Sequence, residues 1–359
     1  MEEDFILDSP RKPLGKLSGS LSSVPAPTLG AIAIKGALER AGLKPEQVDY
    51  TLMGNVLQAG VGQAPARQAT IGAGIPVTAS AMTVNKVCTS VLTASMLGAG
   101  QAPARQATID AEIVVAGGME NMSLAPHLLK GSRNGIKLGN WEMADSMVQD
   151  GLWCTLAGQD MSLQQDAFAL RSHQRAVAAG MEGSFRDEIV PVTVETRRSS
   201  ILVENDEGPR AETSLEALGN LTPAFSQGRS VTAGNASQIS DGAAAVVLAG
   251  TSTVERLGLN PIAKVSGYAH AGVDQAWLFE GPVAATHALE AKTGLKLKDF
   301  DLVETNEAFA AQALMQKGGR RGLATICHGG AQALVNGVAL SVDPGRCPGP
   351  MLPCGLKFS

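Results

Sequence analysis

Aromatic residues make up only 4% of this 359-residue chain, and cysteine occurs five times, at Cys88, Cys154, Cys327, Cys347 and Cys354, never as a Cys-x-x-Cys pair. That scatter indicates neither a disulfide framework nor a zinc or other metal site, and a reducing cytoplasm is the expected compartment. No apolar run approaches the roughly 20 residues that span a bilayer, which argues against a membrane protein. Net charge is −5 and no lysine/arginine block stands out, which argues against nucleic acid and anionic membranes as partners. The acidic start, Met1-Glu2-Glu3-Asp4-Phe5, has neither the basic character of a signal peptide nor that of a mitochondrial presequence. Glycine is abundant, at 41 residues, within a 44% hydrophobic composition. The mix suits an α/β protein with Gly-rich loops, long enough for more than one domain.

Strand and helix signals alternate along the first third. Phe5-Ile6-Leu7 reads as a strand, Pro27 to Ala41 as a helix closed by Gly42, and Asp49 to Val56 as a strand entering a Gly-rich loop. Ala111 to Ala116 has a buried-strand pattern ending at Gly117-Gly118. This alternation predicts a largely parallel sheet covered by helices. From about Glu120 to Gln238 the texture turns polar and irregular around an amphipathic helix, Asp166 to Ala179, with Arg197-Arg198 and Glu204-Asn205-Asp206-Glu207 read as solvated loops. This stretch reads as an inserted, loop-rich subdomain. A second series follows: strands Ala243 to Leu248, Ala263 to Tyr268 and Asp301 to Glu304, helices Pro282 to Lys292 and Glu307 to Gln316, and a closing strand pair, Leu323 to Cys327 and Val338 to Val342. The decapeptide Gly62 to Ile71 recurs unchanged as Gly100 to Ile109, and Pro103 in the second copy is expected to shorten the helix before it.

Within Val84 to Leu97 the first half reads as a strand, with β-branched Val84 and Val87, and the second half has helical spacing. Cys88 falls at the junction, followed by Thr89 and Ser90, residues suited to a helix start. A thiol there meets helix N–H groups and the positive end of the helix dipole, which favour the nucleophilic thiolate. The same position suits a small buried hydrophobe, and position alone leaves both readings open.

Four more stretches follow in order: Ala116 to Ser123 (AGGMENMS), Thr232 to Ser237 (TAGNAS), Asn306-Glu307-Ala308-Phe309, and Gly322 to Cys327 (GLATIC). Together with the Cys88 stretch they resemble the thiolase family, from about residue 5 to about residue 330. The resemblance implies an α/β fold of two similar core domains with an inserted loop domain that receives coenzyme A. On this chain the boundaries are 1–118 with 240–250 for the first core, 119–239 for the loop domain, 251–342 for a truncated second core, and 343–359 for an unstructured tail. The implied chemistry is a Claisen condensation of two acetyl-CoA to acetoacetyl-CoA, and its reverse, through an acyl-enzyme, with coenzyme A thioester as substrate and no resident cofactor. Cys88 matches the nucleophile, Cys327 the acid/base at the α-carbon, and Asn306 the holder of an oxyanion water. The backbone N–H groups of Cys88 and Gly329 match the second oxyanion site, and Ser237, Met161 and Phe309 match coenzyme A contacts. The family also implies a homo-oligomer, a dimer or tetramer. Taken singly, Cys327 is also readable as a core thiol, Asn306 as a helix cap and Ser237 as turn chemistry.

The chain also departs from the family's pattern. A Gly-His-Pro segment, whose histidine activates the nucleophile, is implied between the Asn306 helix and the Cys327 strand, yet no His-Pro dipeptide occurs. After Leu314 the sequence passes almost directly to Lys317-Gly318-Gly319-Arg320-Arg321, so a strand, the histidine loop and a helix are expected to be absent. His328 adjoins Cys327 and would face the other side of an extended strand. His127, His173, His270 and His287 read as ordinary surface or interface histidines. A stretch is also lost near Met161, Val91 stands where the family has glycine, and Gly329-Gly330-Ala331-Gln332 replaces the final glycine cluster. The functions expected are therefore a thiolase-type acyltransferase or, alternatively, an inactive coenzyme A-binding or subunit-pairing relative. A cysteine hydrolase lacks a placed histidine base.

Overall fold

Five strands form a first set: β1 (Asp4–Asp8), β2 (Tyr50–Gly54), β3 (Ser80–Val84), β4 (Ile113–Asn121) and β5 (Ser240–Gly250). Four form a second: β6 (Ala263–Val273), β7 (Leu302–Thr305), β8 (Arg321–Ile326) and β9 (Ala333–Ser341). The computed structural model describes residues 3–100, 111–135, 138–154, 159–160, 166–222, 232–274, 281–305, 321–326 and 333–341. All nine strands join one sheet in the order β7-β8-β9-β6-β1-β5-β4-β2-β3, with a two-residue strand, Gly15–Lys16, added against β5.

The two sets repeat one topology. In the first, β1 is antiparallel to β5, β5 is antiparallel to β4, and β4, β2 and β3 are parallel. In the second, β6 is antiparallel to β9, β9 is antiparallel to β8, and β8 is parallel to β7. Strands β6, β7, β8 and β9 thus stand for β1, β2, β4 and β5. Even the irregularities agree, with a register shift between Ile6 and Asp8 in β1 and another between Val265 and Gly267 in β6. The sets meet where β1 and β6 pair antiparallel, Phe5 opposite Lys264.

Among the described residues no strand of the second set stands for β3. Residues 306–320 alone separate β7 from β8, whereas residues 55–112 separate β2 from β4. One parallel crossover takes about a dozen residues. The shorter stretch therefore has room for a single crossover and not for the helix–strand–helix of the longer one. The sheet is also less parallel than the alternation predicts. Residues 122–239 intervene between β4 and β5, and β5 pairs antiparallel to β4.

Seven helices are described: α1 (Ala26–Arg40), α2 (Pro65–Gly72), α3 (Ser90–Ala99), α4 (Asp166–Met181), α5 (Leu215–Gly219), α6 (Thr251–Leu257) and α7 (Gly281–Thr293). Pro27 and Gly42 (φ +69°) bracket α1 as the sequence implies, and Pro25 precedes its first residue. The alternation of β4 decides which helix meets which face. Ile113, Val115 and Met119 join Leu29, Ile34 and Leu38 of α1 in one core, while Val114 and Ala116 join Leu52 and Leu92 of α3 in the other. Each such fully buried aliphatic side chain contributes about 1.5–3 kcal/mol of transfer free energy. A smaller cluster, Ala269, Leu289 and Leu323, serves the second set.

Strand β4 does not end at the glycine pair but runs on to Asn121. A Cβ on Gly117 would lie 2.2 Å from the Ala244 carbonyl, so glycine allows β4 and β5 to pass at that distance. The acidic run is a second correction. Glu204 and Asn205 are exposed, but Asp206 takes the Arg11 fork, and Glu207 accepts the N–H groups of Lys16 and Ser20. Partners so distant in sequence leave no local signal. The second decapeptide copy beyond Gly100, the helix expected at 307–316 and the tail after residue 342 lie outside the described residues.

Candidate active site

The parallel strands β2, β3 and β4 end on the same edge of the sheet, where α/β proteins place ligands. The Cys88 turn lies at this edge. Strand β3 stops at Val84, three residues earlier than the reading that included Val87. Residues 86–89 instead make a tight turn closed by the Thr89 N–H on the Lys86 carbonyl at 3.2 Å. Val87 sits at its second position with φ +48°. A β-branched residue in this region is strained by roughly 1–3 kcal/mol, and a positive φ at this position alone follows the type II′ pattern.

The strain is held by specific bonds. The Ser90 hydroxyl donates to the Val87 carbonyl at 2.6 Å and accepts the Lys86 N–H at 2.8 Å. Asn85 Oδ1 accepts the Val87 N–H at 3.2 Å. Thr89 is the residue before α3, as the sequence implies, but its hydroxyl donates back to Lys86 O at 2.8 Å instead of capping the helix. Cys88 is thereby presented to solvent two residues ahead of α3. Exposure removes the buried-hydrophobe reading.

Bare glycine lets the first turn of α3 lie on the sheet. A Cβ on Gly54 would meet Ser90 Cβ at 2.8 Å, and one on Gly118 would meet Val91 Cγ2 at 2.3 Å. The Val91 side chain therefore packs down onto Gly118.

Next along the same face of β4 is Glu120, which the sequence reading passed over. Its Oε1 accepts Asn55 Nδ2 at 2.8 Å and the Leu57 N–H at 3.2 Å, and its Oε2 accepts the Val56 N–H at 2.8 Å. Burial pushes the carboxyl up to about 7, against the opposing pull of these three donors. The buried Oδ1 of Asn55 has no hydrogen-bond partner among the described residues. The only available signal was a carboxylate next to the end of a largely apolar strand.

Ser237 belongs to another surface. The turn it ends is built by Asn235, whose Oδ1 accepts the Thr232 N–H at 2.9 Å and whose Nδ2 donates to Asp166 Oδ1 at 2.7 Å. Exposed Ser237, with Phe168, Ser172, His173 and Pro209, lines a cleft of ≈ 190 Å³ beside α4. His173 accepts the Arg210 N–H there, and burial followed by Arg210 lowers its pKa. Cys88 does not line this cleft. Asn306 follows the last residue of β7 and Cys327 the last of β8, but both lie outside the described residues, as do Gly329, His328, Met161 and Phe309.

Residues 5–252 match the thiolase N-terminal domain, and residues 259–317 match the thiolase C-terminal domain. An acetyl-CoA acetyltransferase of Pseudomonas aeruginosa is 46% identical over 329 residues, 88% of this chain and 83% of that protein. One from Chromobacterium violaceum is 42% identical over 397 residues, 95% of this chain and 99% of its own. That span exceeds the 359 residues here, so the relative carries segments without a counterpart in this chain. The crystal structure of Bacillus anthracis acetyl-CoA acetyltransferase superposes with a TM-score of 0.88 at 31% identity, over 96% of this chain and 99% of that one. With both domains matched and relatives above 40% identity across most of its length, this chain belongs to the thiolase family.

Proposed function

We propose that the chain is an acyltransferase of the acetyl-CoA C-acetyltransferase type, taking acetyl-CoA and acetoacetyl-CoA as substrates through an acyl-Cys88 intermediate. The observation that carries this reading is the exposed thiol at a strained strand–helix turn, at the carboxyl edge of parallel strands. The thiolate attacks the thioester carbonyl, the carbon–sulfur bond to coenzyme A breaks, and coenzyme A leaves as thiolate. Asn306, Cys327 and the Gly329 N–H are assigned to the second half of the reaction, and Ser237, Met161 and Phe309 to coenzyme A, all by match to the family. Residues 119–239 would receive the coenzyme, with no resident cofactor, and the reading belongs to cytoplasmic lipid metabolism. No described helix is long and apolar enough to cross a membrane.

Incubation with acetyl-CoA is expected to leave one acetyl group on the Cys88 peptide in mass spectrometry. The group should be released by hydroxylamine and absent from Cys88→Ala. Folded wild-type protein without the adduct would remove the catalytic reading. A second reading, a coenzyme A-binding or subunit-pairing protein without turnover, is favoured by the short stretch between β7 and β8 and by the lack of His-Pro. Calorimetric binding of coenzyme A without turnover would select it.

A homo-oligomer is part of the same proposal. Strand β3 closes the sheet order at one end, paired on one side only among the described residues, with Met82 exposed on it. Such an edge offers unpaired backbone groups to another chain. Light scattering should report a dimer or tetramer, and a stable monomer would contradict it.

A further inference from the structure

We propose that Glu120 is a positioning residue for Cys88: its ionised carboxylate holds residues 55–57 against the end of β3, and that loop steadies the turn that presents the thiol. The proposal rests on the reading of Cys88 as the acylated residue. Its basis is an unbroken series of bonds. Glu120 collects the Asn55 amide and the Val56 and Leu57 N–H groups on its two oxygens. The Asn55 N–H donates to the carbonyl of Val84, the last residue of β3, at 3.1 Å. Asn85 Nδ2 donates to the Val56 carbonyl at 3.2 Å, and Asn85 Oδ1 accepts the N–H of strained Val87. From carboxylate to left-handed residue no link is missing.

An ionised carboxylate only accepts. Three donors converge on Glu120, two on Oε1 and one on Oε2, so a proton on the remaining site of Oε2 removes the charge and weakens all three bonds, which are stronger to an ionised acceptor. The groups that face Glu120 from the 55–57 loop are uncharged. On β5 its register partner is Gly242, which has no side chain. Asp241, the next residue, pairs with Asn121 on the opposite face and is engaged by Ser123, with its carboxyl raised by burial. Lys86, in the Cys88 turn, has its pKa lowered by burial. With the Glu120 carboxyl near 7, the hold on the turn loosens as the solution falls below neutrality.

The test is the rate of Cys88 alkylation by iodoacetamide between about pH 6 and pH 9, read peptide by peptide in mass spectrometry. Wild-type protein should show two ionisations, that of the thiol and a second near 7. Glu120→Gln places an NH2 against one of the donors at every pH. It should show the thiol ionisation alone, with the rate near pH 8 lowered about tenfold, as for a lost hydrogen bond to a charged group. Asn85→Ala leaves Glu120 intact but cuts the link to the turn, and should also lose the second ionisation. If Glu120→Gln does not fold, the wild-type and Asn85→Ala profiles still decide. A single ionisation in wild type, or an unchanged profile in Glu120→Gln, would overturn the proposal. Detection of acetyl-Cys88 beside such a result would leave the acyltransferase reading standing, and its absence beside two ionisations would leave Glu120 standing.

Discussion

Exchanging Arg11 for methionine is expected to lower the free energy of unfolding by about 3–5 kcal/mol, the range for breaking a buried ion pair on one side. Arg11 is 8% exposed and lies where the inserted residues 122–239 meet the sheet. Its two terminal nitrogens take both oxygens of Asp206 at 2.7 and 2.8 Å, and its Nε donates to Glu188 at 2.8 Å. The guanidinium also lies 5.4 Å from the centre of the Phe185 ring. Methionine keeps the stem and leaves two carboxylates, 14% and 21% exposed, without their cation. Against a typical total of about 5–15 kcal/mol, that loss is a large fraction. Arg11→Lys should fall between the two, because an ammonium keeps the charge without the planar fork. Urea unfolding measures the difference, and a cost below about 1 kcal/mol would mean that the pairs contribute no more than surface ones.

Its neighbour supplies the second large effect, a dependence of stability on pH. Lys12 is fully buried, and its Nζ donates to the carbonyls of Val190 at 3.0 Å and Pro191 at 3.4 Å. Burial pushes its pKa down from 10.5 to about 7, against a smaller opposing pull from Glu39. Between these values the unfolded chain holds the proton and the folded chain does not, so folding weakens as pH falls through this window and levels off below about 7. From pH 9 to pH 7 the loss from this group is about 2 kcal/mol. Lys12→Met should lack that slope while retaining the slopes of other groups, so the difference between the two unfolding curves isolates it. Parallel curves across the window would show that folding does not lower the pKa of Lys12.

Most elements of the first core were legible because each carries a local signal. The glycine and proline brackets of α1 and the buried-strand run of β5 appear at or near the expected residues, as does the amphipathic period of α4 in the inserted stretch. Helix α7 and the closing pair β8 and β9 appear likewise. The errors lie where local pattern and tertiary demand diverge. Val87 has a strand-former's side chain yet occupies a left-handed turn, because the Ser90 hydroxyl and Asn85 oblige it to. Asp206 sits in an acidic run that reads as solvated until Arg11, nearly two hundred residues earlier, arrives beside it. Glu120 could not be singled out, since its three donors come from a loop more than sixty residues away.

By itself the order of residues determined the family and set Cys88 just ahead of a helix, because motifs are properties of the linear chain. Only the folded structure decided that the thiol is exposed, that the register shift of β1 recurs in β6, and that a buried carboxylate is tied to the turn carrying Cys88. Register, burial and the meeting of distant hydrogen-bond partners arise from closing the sheet, and no window of sequence contains both sides of such a contact.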